Sequence, residues 1–343
     1  MRRRLWRSGT SSDEPDAAFD ENCRMRRMRY LLRLVVDNAA DNDVLEADRV
    51  DIMSALAVAR ERCREDDVEL CQLFIHAVGS LARFLGYRNA LKERVTWGRA
   101  ALDVAELLGD DLAIAELCAS TIAWPLLQIG DYPETERYCL QGLEAARRCD
   151  DSPAAARWAG NAARSLSGIA RDANDGPTAR YWAEQVAIYA RQSGDGLLER
   201  GARLDFGFAA LLQDEFEEAE HLFTGLLEFE NRGDDTERIA NRSGETALAI
   251  MNRALRSDTV EEETRLCQHA RANLERSLEL GIRINHAVVI AECEISLAVL
   301  ARIQGDDAEY QRLIASGRRR FADLGIRRMG RAEQFVRFPE ARA

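Results

Sequence analysis

The chain has 343 residues and a net charge of −12, which excludes the broad positive face that general binding of nucleic acid requires. Apolar residues make up 46% and charged residues 31%, the composition of a chain that folds around a core rather than staying disordered. No apolar run approaches the length of a bilayer-spanning helix, and the opening arginines have no apolar stretch behind them, so neither a signal peptide nor a membrane anchor is expected.

The charge is uneven. Residues 1–30 carry eight Arg against five acids and residues 317–343 eight Arg against three, leaving the acid excess in the body between them. Basic ends on an acidic body could meet an anionic partner or the body itself; the simpler reading is solvated termini. The eight cysteines form no CxxC pair and no Cys/His cluster at zinc spacing. Cys118, Cys139 and Cys293 sit where a helix calls for a small apolar residue, so reduced core thiols and a cytoplasmic setting are expected.

In chain order, residues 1–20 read as a disordered lead. Residues 21–65 read as a helical pair, with Asp41, Asn42 and Asp43 supplying the turn and an N-cap. From 66 to 325 a repeated unit takes over. Apolar stripes at helical spacing predict first helices over 67–85, 111–129, 154–173, 197–213, 236–256 and 286–303. Second helices follow over 89–108, 133–149, 177–193, 215–231, 260–280 and 307–323. Turns inside the hairpins are expected at Gly86, Gly130, Asp175-Gly176, Asp214 and Gly305-Asp306. Gly109-Asp110, Asp150-Asp151, Gly194-Asp195, Gly233-Asp234, Gly281 and Gly325 should close them. Pro125 should bend its helix beside Trp124. Residues 326–343 read as a tail.

A hairpin of this kind cannot bury its apolar face alone. Six of them at a period of about 40–45 residues predict an all-α fold, a right-handed α-solenoid of stacked hairpins. The stretch from Ala115 to Asp151 resembles a tetratricopeptide repeat: Gly130-Asp131-Tyr132 matches that family's turn, and Thr135, Cys139 and Gly142-Leu143 take its small, aromatic and closing positions. Gly207, Ala210, Ala219 and Phe223 make a second copy, and Gly79, Ala82 and Gly86 a third. Residues 47–61 followed by residues 81–111 are also similar to the segment that opens the repeat arm of bacterial STAND-type signalling ATPases and related transcriptional activators. That resemblance implies a sensor or scaffold arm whose ATPase or effector is a separate chain. A P-loop needs a lysine after its glycines, and the only lysine, Lys92, lies in a helical segment.

Chemistry is sparse. The four histidines, His76, His221, His269 and His286, form no HExxH or other ligand pair, and GxSxG is absent; no cofactor, metal or catalytic residue is expected. A solenoid's product is a surface, which in tetratricopeptide proteins is lined by one stripe of each first helix. Overlaying the repeats places His76, Ser80 and Arg83, then Ser120, Trp124 and Gln128, then Asn161, Arg164 and Arg171, then Leu204 and Phe208 on that concave stripe. The arginines suit carboxylates and Trp124 and Phe208 suit apolar anchors, so the expected partner is a protein or peptide, with an acidic segment favoured. The resulting expectation is a non-enzymatic binding scaffold in bacterial signalling. The alternatives are a peptide- or metabolite-responsive transcriptional regulator and a small-molecule sensor. Homodimerisation through the terminal repeats is a further option.

Overall fold

The computed structural model describes residues 13–150, 152–326 and 328–339, with the backbone alone for 13–20. Among them every regular element is helical. The chain divides into two compact units, Met1–Leu117 and Cys118–Ala343.

The first unit contains α1 (Asp13–Asp37), α2 (Asn42–Ala47), α3 (Arg49–Arg62), α4 (Val68–Tyr87), α5 (Leu91–Leu108) and α6 (Asp111–Glu116). Helix α1 starts inside the lead expected to be disordered, of which residues 1–12 lie outside the described residues. Asp41 caps α2 as its position suggests, accepting from the backbone N–H of Asp43 and Val44 at 3.1 Å each. The expected second helix is interrupted at Asp48, which separates α2 from α3. Helix α1 packs on α3 and α4, tied by Arg27 to Asp51 at 2.6 Å and Arg29 to Asp67 at 3.0 Å. Helices α4 and α5 form a hairpin.

The second unit contains most of a π-helical segment (Leu117–Ala123), then α7 (Trp124–Ile129) and α8 (Tyr132–Arg148). Four more hairpins follow: α9 (Pro153–Asp172) with α10 (Gly176–Ser193), α11 (Gly196–Leu212) with α12 (Phe216–Glu230), α13 (Thr236–Ala254) with α14 (Val260–Arg283), and α15 (Ala287–Ile303) with α16 (Asp307–Asp323). A short α17 (Arg331–Phe335) ends the set. Each helix packs on the next and each first helix also touches its predecessor or successor, which is the α-solenoid plan. The π segment answers Pro125: the ring has no N–H for the carbonyl of Thr121 and needs room there, so the preceding turns widen.

Several junctions follow one rule. A left-handed residue ends a helix and the next Asp caps the following one. Gly109, Gly130, Gly194 and Gly305 all have positive φ, and Asp110, Asp131, Asp195 and Asp306 each accept from backbone N–H groups of the next first turn. Two expected turn glycines lie inside helices instead. Gly86 belongs to α4 and Gly281 to α14, while Asn89 (φ 54°) and Asn285 (φ 52°) make the left-handed turns. Gly281 serves packing, since a Cβ there would stand 2.8 Å from a Val289 methyl. Asp151 is outside the described residues.

The tetratricopeptide-like positions are packing positions. Thr135, Cys139, Ala210, Ala219 and Phe223 are fully buried, and a Cβ on Gly207 would meet the Phe223 ring at 2.3 Å, so α11 and α12 approach only because that residue is glycine. Burial pushes the thiols of Cys63, Cys139 and Cys293 up to about 12. One composition reading needs correcting. Val68–Tyr87 and Asp111–Ile129 are long and apolar enough to cross a membrane by length and composition, although more than half of each is buried inside the protein. First helices are flanked on several sides, so their apolar stripe broadens until it resembles a spanning segment.

Candidate functional site

In the first unit, His76, Ser80 and Arg83 share one face of α4, with His76 and Arg83 exposed and Ser80 half-buried. In the second unit, Ser120 lies in the π segment and Trp124 and Gln128 on α7; Trp124 is 41% exposed. Asn161, Arg164 and Arg171 lie on α9, partly exposed. Leu204 and Phe208, expected to be surface anchors on α11, are buried; Phe208 is only 1% exposed.

What covers Phe208 is the far end of the same chain. The Phe335 ring of α17 lies 5.1 Å from it, beside the Phe223 ring at 5.3 Å. The guanidinium of Arg171 lies over the same ring at 4.7 Å and that of Arg331 at 5.8 Å. The segment read as a tail therefore crosses four consecutive first helices. Gly330 rests on α15, where a Cβ would stand 2.6 Å from an Ile295 methyl. The Gln334 amide donates to the carbonyl of Arg171 on α9 at 2.7 Å. On α13, Asn252 takes hold of the backbone itself: its Nδ2 donates to the Phe335 carbonyl at 2.9 Å and its Oδ1 accepts from the Arg337 N–H at 3.0 Å. A helix of five residues is too short to persist alone, so α17 exists because this face holds it.

The ion pairs set the polarity. Arg331 pairs with Glu245 at 2.8 Å, and its backbone N–H donates to Glu292 at 2.9 Å. Glu292 also receives Arg328 at 2.7 Å, and Arg337 reaches Asp214 at 3.4 Å. Glu245 is 2% exposed and is paired with Arg242 as well. Burial works against the charge on Arg331, but the carboxylates of Glu245, Glu292 and Asp172 outweigh it and hold that guanidinium above its ordinary pKa. The simpler reading of solvated basic termini is thus corrected at the C-terminal end, whose arginines meet body carboxylates.

Two of the three arginines expected to face an acidic segment have partners within the chain: Arg164 meets Asp205 at 3.4 Å and Arg171 meets Asp172 at 3.5 Å. Burial raises the Asp205 carboxyl against the pull of Arg164 and Arg171, and burial lowers Arg171 against the pull of Asp172. Both arginines are thus paired with carboxylates of their own chain, while further acids, Glu245 and Glu292, meet arginines of the C-terminal segment.

Sequence reasoning missed Glu245, Asn252 and Glu292 on the face, and Arg331, Phe335 and Arg337 on the segment. The overlay stopped at α11; carried one hairpin further, it reaches Glu245 and Asn252, two helical turns apart in an otherwise apolar run. The signal in the tail was Phe335-Val336-Arg337-Phe338, too apolar for a solvated end.

Among the described residues no group of three or more His, Cys, Asp or Glu side chains could hold a metal ion. A cavity of about 20 Å³ lies under Arg331, lined in part by Leu248, Leu274, Ser277 and Cys293. A cleft of about 460 Å³ elsewhere in the unit, lined by residues such as Leu143, Ala155 and Tyr189, holds no comparable set of carboxylates.

The fold is that of an all-α helical-repeat protein, with the chain's own C-terminal segment on the first-helix face of its second unit. No family profile and no characterised protein sequence matches the chain. Among solved structures it is similar to a Rap protein crystallised in complex with Competence and Sporulation Factor, with a TM-score of 0.58 and 13% identity over 88% of each chain. It is also similar to the apo form of RapI, with a TM-score of 0.55 and 13% identity over 87% of this chain and 88% of that one. At that identity the likeness is one of fold.

Proposed function

We infer that the chain is a non-enzymatic protein- or peptide-binding scaffold, and that the first-helix face of the second unit is its binding surface. The observation that carries this reading is the Asn252 side chain, which satisfies a carbonyl and an N–H two residues apart on a passing strand of backbone. Such a bond pair recognises extended polypeptide whatever its side chains, while neighbouring pockets and charges select the sequence. Asn252 is fully buried, so leaving its amide unsatisfied would be costly, and a polypeptide is the ligand that satisfies both of its ends. The Rap complex noted above, in which a helical-repeat protein of the same fold holds Competence and Sporulation Factor, supports the reading by analogy of fold. A place in bacterial signalling, with output through a separate ATPase or effector chain, is the fuller form of the proposal.

Panning a random peptide library against the pure full-length chain tests it. The expected outcome is enrichment of peptides that bind wild type and lose at least tenfold in affinity to Asn252→Ala. Selected peptides that bind both equally would place the surface elsewhere and overturn the assignment.

A further inference from the structure

The segment lodged on this face reports what the face prefers. Three of its side chains are read individually. Arg331 enters between Glu245 at 2.8 Å and Glu292 at 3.8 Å. Phe335, four residues on, is 1% exposed against Phe208. Arg337, two further, reaches Asp214, while its carbonyl accepts from Arg256 at 3.3 Å. The spacing follows from the conformation: one turn of α17 brings Arg331 and Phe335 to the same side, and the extended residues after it turn Arg337 the same way.

Further contacts come from Arg328 on Glu292, the Gln334 amide on the Arg171 carbonyl, the fully buried Ala332 and Gly330 against Ile295.

We propose that residues 328–339 are a built-in ligand of the face, and that the external partner is a basic, aromatic polypeptide segment that displaces them. Its pattern is an arginine, an aromatic residue four positions later and an arginine two beyond that. This rests on the reading of the face as a peptide-binding surface and fixes the chemistry of what it binds.

Three observations favour displacement over a permanent strut. The segment follows the last helix of the last hairpin, α16, which ends at Asp323, so its release separates no hairpin from its neighbour. Its helix cannot persist off the face. Two of its polar anchors keep partners without it: Glu245 retains Arg242, and Asn252 retains the carbonyl of Leu248 at 3.0 Å. A tethered ligand acts at an effective concentration in the millimolar range for short linkers, so an external segment of equal intrinsic affinity meets a competitor already in place.

The test uses full-length protein and a fluorescein-labelled peptide of residues 328–339, read by anisotropy. The variant Arg331→Ala/Phe335→Ala removes two of the internal anchors and changes no residue of the helices that form the face. Its expected affinity for the peptide is at least tenfold tighter than that of wild type, and a peptide carrying Ala at the positions of Arg331, Phe335 and Arg337 should bind neither. Should circular dichroism show the double variant unfolded, Arg331→Ala alone takes its place, because that side chain is only partly buried.

A folded variant that fails to bind the labelled peptide overturns the proposal, as does equal affinity of variant and wild type. An acidic peptide of the same length separates the two levels of inference. If it binds in an Asn252-dependent way while the basic peptide does not, the surface assignment stands and the chemistry proposed here falls. If no peptide of either kind binds the folded variant, both fall.

Discussion

The stripe on α4 and the stripe on α9 and α11 come from one repeat pattern, yet they have become different surfaces. His76 and Arg83 on α4 are exposed. Phe208 on α11 and the amide of Asn252 on α13 lie beneath a segment more than eighty residues away in sequence, bound through pairs separated by 83, 85, 86 and 163 positions. Helical periodicity says which residues share a face. It does not say what lies on that face, because the covering segment is chosen by tertiary complementarity rather than by local pattern. The comparison also shows why the second surface carries buried charge: once arginines of the C-terminal segment dock, Glu245 is withdrawn from water and must remain paired.

If the covered face is part of the core and the α4 face is not, substitutions should separate them by magnitude. Phe208→Ala removes a fully buried ring from between Phe223 and Phe335 and is expected to destabilise the second unit by about 3–5 kcal/mol, read as the shift in denaturant midpoint. A loss under about 1 kcal/mol would mean that the ring is not part of the packed interior.

Arg164→Ala should come next, at about 3 kcal/mol near neutral pH, because it strips a partner from the buried carboxylate of Asp205. Its pH dependence has a defined sign. Burial holds Asp205 above the ordinary carboxylate range, so the native state binds that proton more tightly than the unfolded chain does. The group's contribution is present below the unfolded carboxylate value and is lost as pH rises through the raised folded one. Removing Arg164 raises the folded value further, so the difference between variant and wild type should widen with increasing pH; a pH-independent difference would contradict the pairing.

Asn252→Ala removes two bonds to the C-terminal segment and should cost about 1–3 kcal/mol, with proteolysis after Arg337 accelerated relative to wild type. Unchanged cleavage would show that the segment is held without Asn252. The smallest effect is expected at Arg83→Ala on α4, within about 0.5 kcal/mol of wild type. A larger loss, measured in the same unfolding series, would erase the contrast between the two faces.

The hairpins were legible because they depend on local chemistry. First-helix starts at Val68, Asp111, Pro153, Gly196 and Thr236 keep a spacing of 40–43 residues, and the Gly-Asp junctions mark both the end of one helix and the cap of the next. Where a different residue did the same job, as Asn89 and Asn285 do in place of Gly86 and Gly281, the reading slipped by a few residues. The site was legible only in part. Periodicity placed Arg164, Arg171, Leu204 and Phe208 on one face, but their burial and pairing depend on Asp205, Asp172 and Phe335, the last of them 127 positions beyond Phe208. Counting arginines on a stripe takes no account of the carboxylates that reach them, from the next residue in the case of Arg171 and from a neighbouring helix in the case of Arg164.

The most direct test of the central claim is amide hydrogen exchange of the full-length wild-type chain, followed at Val336 and Arg337 with and without a peptide selected for binding. The expected result is slow exchange at Arg337 in the ligand-free chain, where Asn252 holds its N–H, and fast exchange once the peptide is bound. Equal protection at Arg337 in both states, with the peptide demonstrably bound, would show that the first-helix face of the second unit is not where partners bind.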